Sequence, residues 1–254
     1  MINPLKKIKG STERILFVPD CHIPYHDKKA WKLLLKVCQA FKPDTIAVIG
    51  DFADCYIVSD HQKDPSRESL WVEEKKQVIQ CKEQLEHTGA KRLILTAGNH
   101  EDRYDRYLKN KAPALFEHDK IKKELEFDRG GWEYVPYKDY TTIGKMNVTH
   151  DVGHSGKYAA FQTLDAFQDN VVFGHTHRLC AVYSGNVKGH PHVCLNIGWL
   201  GDVSKIDYMH QAKAKKDWQL GFGIGYKEPG GIVHAFPIPI IFYKCIIDGK
   251  LISV

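Results

Sequence analysis

Short apolar runs alternate along this chain with longer segments of helical periodicity. Five runs stand out: Arg14 to Val18, Thr45 to Ile49, Arg92 to Ala97, Met146 to Thr149 and Asn170 to Phe173. Each is rich in strand-forming residues and bounded by turn residues, which predicts a strand at each. Between them, Asp27 is placed to cap a helix that carries Ala30, Trp31, Leu34, Cys38 and Phe41 on one side and stops at Pro43. Asp64-Pro65 opens a second helix with Trp71, Val78, Cys81 and Leu85 inward, closed by Gly89. Ser155 caps a third, through Tyr158, Phe161, Leu164 and Phe167. Strands alternating with helices predict an α/β fold whose opening sheet is mostly parallel, with ligands gathering where the strands end. No repeat or linker divides residues 1–254, which read as a single domain. Residues 103–145 read as an insertion that covers one side of the ligand end. It holds Pro113, a charged helical stretch from Lys120 to Glu126, and Gly130-Gly131. Beyond Gly201 the pattern weakens and ends in runs from Gly231 to Tyr243 and from Cys245 to Val254; Pro237 and Pro239 suit an edge strand.

Composition narrows the class. With 43% hydrophobic and 26% charged residues the chain is ordinary for a soluble globular protein. No stretch approaches the ~20 apolar residues of a membrane span. Lys6, Lys7 and Lys9 precede a short strand-like segment and no long apolar stretch, so a secretory signal is not expected and the cytoplasm is. Seven cysteines without C-x-x-C spacing argue against a disulfide framework and a thiolate zinc site, and read as buried small hydrophobes. A net charge of +5 permits nucleic-acid binding without requiring it. The run from Lys205 to Lys216, bracketed by Asp207 and Asp217, reads as a solvated helix face.

Every one of the five apolar runs ends in residues able to bind a metal. The first gives Asp20 and His22, the second Gly50-Asp51-Phe52-Ala53-Asp54, and the third Gly98-Asn99-His100-Glu101. The fourth gives His150 and the fifth Gly174-His175-Thr176-His177. Carboxylate, amide oxygen and imidazole nitrogen without thiolate suit Mn²⁺, Fe²⁺ or Zn²⁺ and argue against structural zinc. So many ligands call for two ions. A pair of cations about 3.5–4 Å apart can hold a bridging hydroxide and clamp phosphoryl oxygens during in-line attack. Gly50, Gly98 and Gly174 are expected to let the backbone turn sharply as each strand ends.

Taken together, D-x-H, G-D-x-x-D, G-N-H-E, a lone His and G-H-x-H resemble the calcineurin-like metallophosphoesterase superfamily over Asp20 to His177. Leu195-Asn196-Ile197-Gly198 is similar to the Asn-x-Gly turn that often follows. The resemblance implies a four-layer αββα sandwich with a dinuclear metal site at strand C-terminal ends. It implies that Asp20, His22 and His177 hold one ion, that Asn99, His150 and His175 hold the other, and that Asp51 bridges them. His100 then resembles the histidine that protonates the leaving oxygen, and Asp54 orients it. The expected cofactors are two divalent ions, Mn²⁺ first, with Fe²⁺, Zn²⁺ or Ni²⁺ as alternatives. Departures bear on substrate. Cys55-Tyr56 stand where protein phosphatases carry Arg-Gly, so a phosphoprotein substrate is disfavoured. Arg103 is a candidate for the missing phosphate contact, or pairs with Glu101 or Asp102. His150 is followed by Asp151, with His154 as an alternative ligand or substrate contact.

The arrangement also resembles small phosphoesterases of bacteriophages and bacteria, which places a phage-encoded member in the host cytoplasm. A phosphodiesterase or nuclease acting on nucleotides or nucleic acid is the first expectation, and a phosphomonoesterase on a small molecule or phosphoprotein the second. The reading from another class, a binding scaffold that lost catalysis, sits poorly with the retention of Asp51, His100, His175 and His177. His26 reads as a solvated histidine at a helix start. His61, His87, His118, His190, His192, His210 and His234 lack ligand spacing, although His234 would join the cleft if the final strands fold back over it. Trp199, Trp218, Phe222 and Tyr226 read as core or cover, with stacking on a nucleobase as the alternative.

Overall fold

The computed structural model of the chain describes residues 11–59, 70–185, 187, 189, 191–205 and 217–254. Lys6, Lys7, Lys9, His61, the Asp64-Pro65 helix start, His190, His210 and the basic run after Lys205 lie outside the described residues. No described helix is long and apolar enough to cross a membrane.

The five apolar runs fold as β1 (Glu13–Val18), β2 (Thr45–Val48), β3 (Arg92–Thr96), β6 (Met146–Val148) and β7 (Val171–Phe173). Interleaved are α1 (Lys28–Phe41), α2 (Trp71–Glu86) and α6 (Ala159–Phe167). Asp27 caps α1 by accepting from the amides of Lys29 and Ala30 at 2.8 and 3.0 Å. The helix ends where Lys42 turns left-handed ahead of Pro43. The capping expectation for α6 fails: it starts after Tyr158, and Tyr158 and Phe161 are exposed. Ala159, Ala160, Thr163 and Leu164 face inward instead, because small residues let this helix lie close to its sheet.

Segment 103–145 is built into the scaffold. It holds most of α3 (Asn99–Lys111), the short α4 (Pro113–Phe116) and α5 (Ile121–Glu124), β4 (Trp132–Val135) and β5 (Thr141–Ile143). β4 pairs parallel with β3, and β5 antiparallel with β6. Further strands follow: β8 (Leu179–Gly185), β9 (Pro191–Ile197), β10 (Gly221–Lys227), β11 (Val233–Pro239), β12 (Lys244–Ile247) and β13 (Lys250–Ser253). Among the described residues these make a sheet in the order β11-β10-β1-β2-β3-β4, a second in the order β5-β6-β7-β9-β8, and a β12-β13 hairpin. The proline-bearing β11 is an edge strand, as Pro237 and Pro239 predict.

Side-chain alternation sorts the layers. Ile15, Phe17, Ala47, Ile49 and Ile94 of the first sheet pack against Val148, Val172, Leu195 and Ile197 of the second. Leu16, Val18, Ile46, Val48 and Leu95 turn the other way, onto Leu34, Val37, Phe41, Val78 and Leu85 of α1 and α2. Ala159 and Leu164 of α6 cover Val171, Phe173 and Cys194. The result is the expected αββα sandwich. A close approach between sheets falls at β10, where a Cβ on Gly223 would lie 2.9 Å from Ile197 Cγ2 and 3.1 Å from Phe17 Cβ. All seven cysteines are free, and all but Cys180 are buried.

Candidate metal centre

The parallel strands deliver their following residues to one end of the sandwich. The amides of Cys21 and His22 both donate to Asp51 O, at 2.9 and 2.8 Å, and Gly174 N donates to His150 O at 3.0 Å. Four of the predicted ligands, His22, Asp51, His175 and His177, are in the left-handed region, with φ of 53°, 44°, 69° and 58°. Non-glycine residues adopt this backbone rarely, and such residues cluster at functional sites.

Among the described residues three groups of ligand-type atoms result, each within 4.8 Å: Asp20, His22 and His177; His22, Asp54 and His100; Asp51, His150 and His175. In the first, His22 Nε2 faces His177 Nε2 at 3.0 Å, and His177 Nε2 lies 3.2 Å from Asp20 Oδ2. In the third, Asn99 Oδ1 stands 3.1 Å from His150 Nε2 and 3.0 Å from His175 Nδ1. Asp51 Oδ2 lies between, 3.4 Å from His150 Nε2 and 4.0 Å from His22 Nε2.

These donor sets fit divalent cations. His150 Nδ1 bonds Ile49 O at 2.8 Å, which leaves Nε2 to meet only acceptors: Asn99 Oδ1 and the Asp51 carboxylate. Burial alone would lower this imidazole, yet the charge and hydrogen bond of Asp51 hold it at about 10. A pocket that draws a proton onto a buried imidazole presents an excess of negative charge. Burial likewise opposes charging His100, but Asp51 and then Asp54 hold it at about 9. His177 goes the other way, lowered by burial to about 4, so its ring is neutral and able to bind a metal.

His100 Nδ1 meets the Asp54 carbonyl at 2.7 Å and its carboxylate Oδ1 at 3.2 Å. The same Oδ1 lies 3.0 Å from His22 Nδ1. Arg103 Nη1 donates to Asp54 O at 3.3 Å, and Nη2 reaches His100 Nε2 at 3.2 Å. It does not pair with its neighbours: Asp102 binds Arg106 at 2.9 Å, and Glu101 is occupied by backbone amides. His154 joins none of the three ligand groups.

Other expectations change. His26 is buried, with its ring centroid 6.0 Å from that of Trp31, and is not solvated, because the chain closes over it through a bridge to Gly201. His234 pairs with Glu228 and lines, with His192 and Lys145, a cavity of about 660 Å³ where β7 and β9 begin, the end opposite the ligands. Trp199 and Phe222 are buried, so neither offers a free stacking face. Gly50 turns left-handed, at φ 79°, as expected, but Gly98 and Gly174 lack positive φ. Those two are bare to admit a ligand: a Cβ would fall 2.1 Å from Asp51 Oδ1 at Gly98 and 2.3 Å from Asp20 Oδ1 at Gly174.

Two supports escaped the motif reading. Glu101 accepts from the amides of Asp51, Gly98 and Ala53 at 3.0, 2.8 and 2.8 Å, clasping two ligand turns together. Its place in G-N-H-E was the available signal. Asp151 is buried, with Oδ2 lacking a hydrogen-bond partner among the described residues and 3.9 Å from His150 Nε2. Asn196, from the turn singled out in the sequence, donates to Gly174 O at 3.2 Å and to Thr176 Oγ1.

The chain belongs to the calcineurin-like phosphoesterase family, whose model matches residues 13–179. It is a phosphoric ester hydrolase of a family that uses divalent metals. Similar proteins include the gene 54 protein of Mycobacterium phage D29, 28% identical over 94% of this chain and 98% of that protein. The gene 54 protein of Mycobacterium phage L5 is 27% identical with the same coverage, 94% and 98%. Among solved structures, Vacuolar Protein Sorting 29 from Cryptosporidium parvum aligns at 15% identity and a TM-score of 0.48, covering 95% of each chain. YfcE, a phosphoesterase from E. coli, aligns at 14% and 0.43, covering 87% of this chain and 96% of that one.

Proposed function

We propose that the chain is a dinuclear phosphodiesterase acting on nucleotides or nucleic acid. Asp20, His22 and His177 would hold one cation, Asn99, His150 and His175 the other, and Asp51 both. The observation that carries this reading is the convergence of acceptors, with Asn99 Oδ1 at 3.1 Å from His150 Nε2 and 3.0 Å from His175 Nδ1. When bound, two such cations supply Lewis acidity toward phosphoryl oxygens and an activated water. Mn²⁺ suits the oxygen and imidazole set, as do Fe²⁺, Zn²⁺ and Ni²⁺.

The remaining work falls to the chain. His100 presents Nε2 while Asp54 anchors Nδ1, so the ring would give a proton to a departing alkoxide once Arg103, a donor only, has turned from Nε2 to the substrate. Arg103 stands beside that nitrogen and would orient a phosphoryl oxygen. One guanidinium beside His100 would match the single charge of a diester. The test is hydrolysis of bis-p-nitrophenyl phosphate against p-nitrophenyl phosphate with Mn²⁺, followed by single-stranded and double-stranded DNA. Diester preference is expected. Monoester preference would move the substrate to a small phosphomonoester.

A further inference from the structure

His177 differs from His22 and His150 in how its ring is held. A metal-binding imidazole nearly always donates its second N–H to a carboxylate or carbonyl, which fixes the ring plane. His22 has Asp54 in that role and His150 has Ile49 O. His177 Nδ1 is buried and finds no hydrogen-bond partner among the described residues. Two indoles hold the ring instead. Trp199 stacks on it at 4.8 Å and 14°, and Trp218 closes against it edge-on at 4.2 Å and 85°. The indoles brace each other at 4.8 Å and 71°.

The surrounding backbone is built for this. A Cβ on Gly201 would lie 2.0 Å from the Trp199 ring, so the indole lies against bare backbone. Trp218 is carried by a strap bonded to the ligand segment itself: Gln219 N donates to His177 O at 3.0 Å, and Leu179 N to Gln219 Oε1 at 3.0 Å. Trp199 N in turn donates to Gln219 O at 3.2 Å. Both indoles are thereby indexed to His177 and not merely near it.

We propose that Trp199 and Trp218 form an aromatic clamp that positions His177 as a metal ligand, in place of the usual hydrogen bond. Trp218 is thus a positioning residue, and the first cation site depends on it while the second does not. The inference rests on the two-cation reading above. Calorimetric titration of the whole protein with Mn²⁺ tests both, beside the visible spectrum of the Co²⁺ form. Wild type showing no binding step that His177→Ala removes would defeat the two-cation reading itself. Given two steps, Trp218→Leu should weaken one by ~10-fold or more, in line with other supports of ligating histidines, and leave the other within about twofold. Trp218→Phe, which keeps a ring, should weaken that step less than Trp218→Leu and shift the Co²⁺ bands. Both steps unchanged in Trp218→Leu, or both weakened alike, would overturn the clamp. Should Trp218→Leu not fold, unaltered Co²⁺ bands in Trp218→Phe would overturn it equally.

Discussion

One oxygen of Asp54 serves two rings. Its Oδ1 lies 3.0 Å from His22 Nδ1 and 3.2 Å from His100 Nδ1, so a proposed ligand and the proposed acid share a support. Substitutions at these positions should therefore separate. His100→Ala is expected to keep both cations and lose ~10²–10⁴-fold in turnover of an alkyl phosphoester, the usual worth of a positioned general acid. An aryl ester should suffer less, because its leaving oxygen bears charge without a proton. Asp54→Asn should slow the same step and also weaken one cation-binding step by ~10–100-fold, since it loosens His22. Metal content beside kcat/KM for both esters checks this; a cation lost from His100→Ala would make that ring a ligand. The pairing of Asp54 with His100 was legible in the motifs. The link from Asp54 to His22 was not, because it depends on the left-handed backbone of His22 turning the ring, and no residue pattern records that sign of φ.

The ends of the strands are where this fold spends stability on function. A residue held in the left-handed region costs of order 1–3 kcal/mol, and four candidate ligands are so held. Glu101 offsets part of this by accepting three amides from the turns after β2 and β3. The turn after β7 relies on bareness at Gly174, where a methyl would sit 2.3 Å from Asp20 Oδ1 and 2.9 Å from the Ile49 carbonyl. Gly174→Ala should displace Asp20, leave the circular-dichroism spectrum unchanged and weaken one Mn²⁺-binding step by ~10-fold or more, the scale of losing support for a ligand. Unaltered calorimetric titration would show that the turn can shift without moving the carboxylate. The strands that carry candidate ligands were readable because each couples an apolar run to a chemical ending. β10 was not, since Gly221, Gly223 and Gly225 dilute its apolar pattern, and their purpose is set by partners distant in sequence such as Phe17 and Ile197. β4 was hidden for another reason: Glu133 interrupts its apolar run, and no ligand-type ending follows it.

Across the whole molecule, the sandwich buries Asp20, Asp51 and Asp54 together with His22, His150 and His177 at one end, and that charge ties stability to cations and to pH. Cations that bind only the folded chain stabilise it by about 2.7 kcal/mol per site at one hundred times Kd. For a chain of this size that is a rise in Tm of roughly 5–10 °C per site. Excess EDTA should remove the rise, and Asp51→Asn should show less of it than wild type. Glu74 adds a second dependence, separate from cations. It is fully buried on α2, its Oε1 accepts from Cys55 N, and its Oε2 has no hydrogen-bond partner among the described residues. Burial, and then the charge of Asp54, push its carboxyl from the ordinary 4.5 up to about 8. The unfolded chain releases this proton near 4.5 while the folded chain keeps it to about 8. The stabilisation is thus fully present below the lower value and is lost as pH rises through the higher one. The total at stake is on the order of a few kcal/mol, given about 1.4 kcal/mol per pKa unit. Glu74→Gln keeps the acceptor for Cys55 N and cannot ionise, so its stability should stay flatter between pH 5 and pH 8 (roughly the span between the two values). Urea unfolding of the EDTA-treated wild type and variant across that range measures the difference, and parallel stability curves would mean that the carboxyl is ionised in the folded chain.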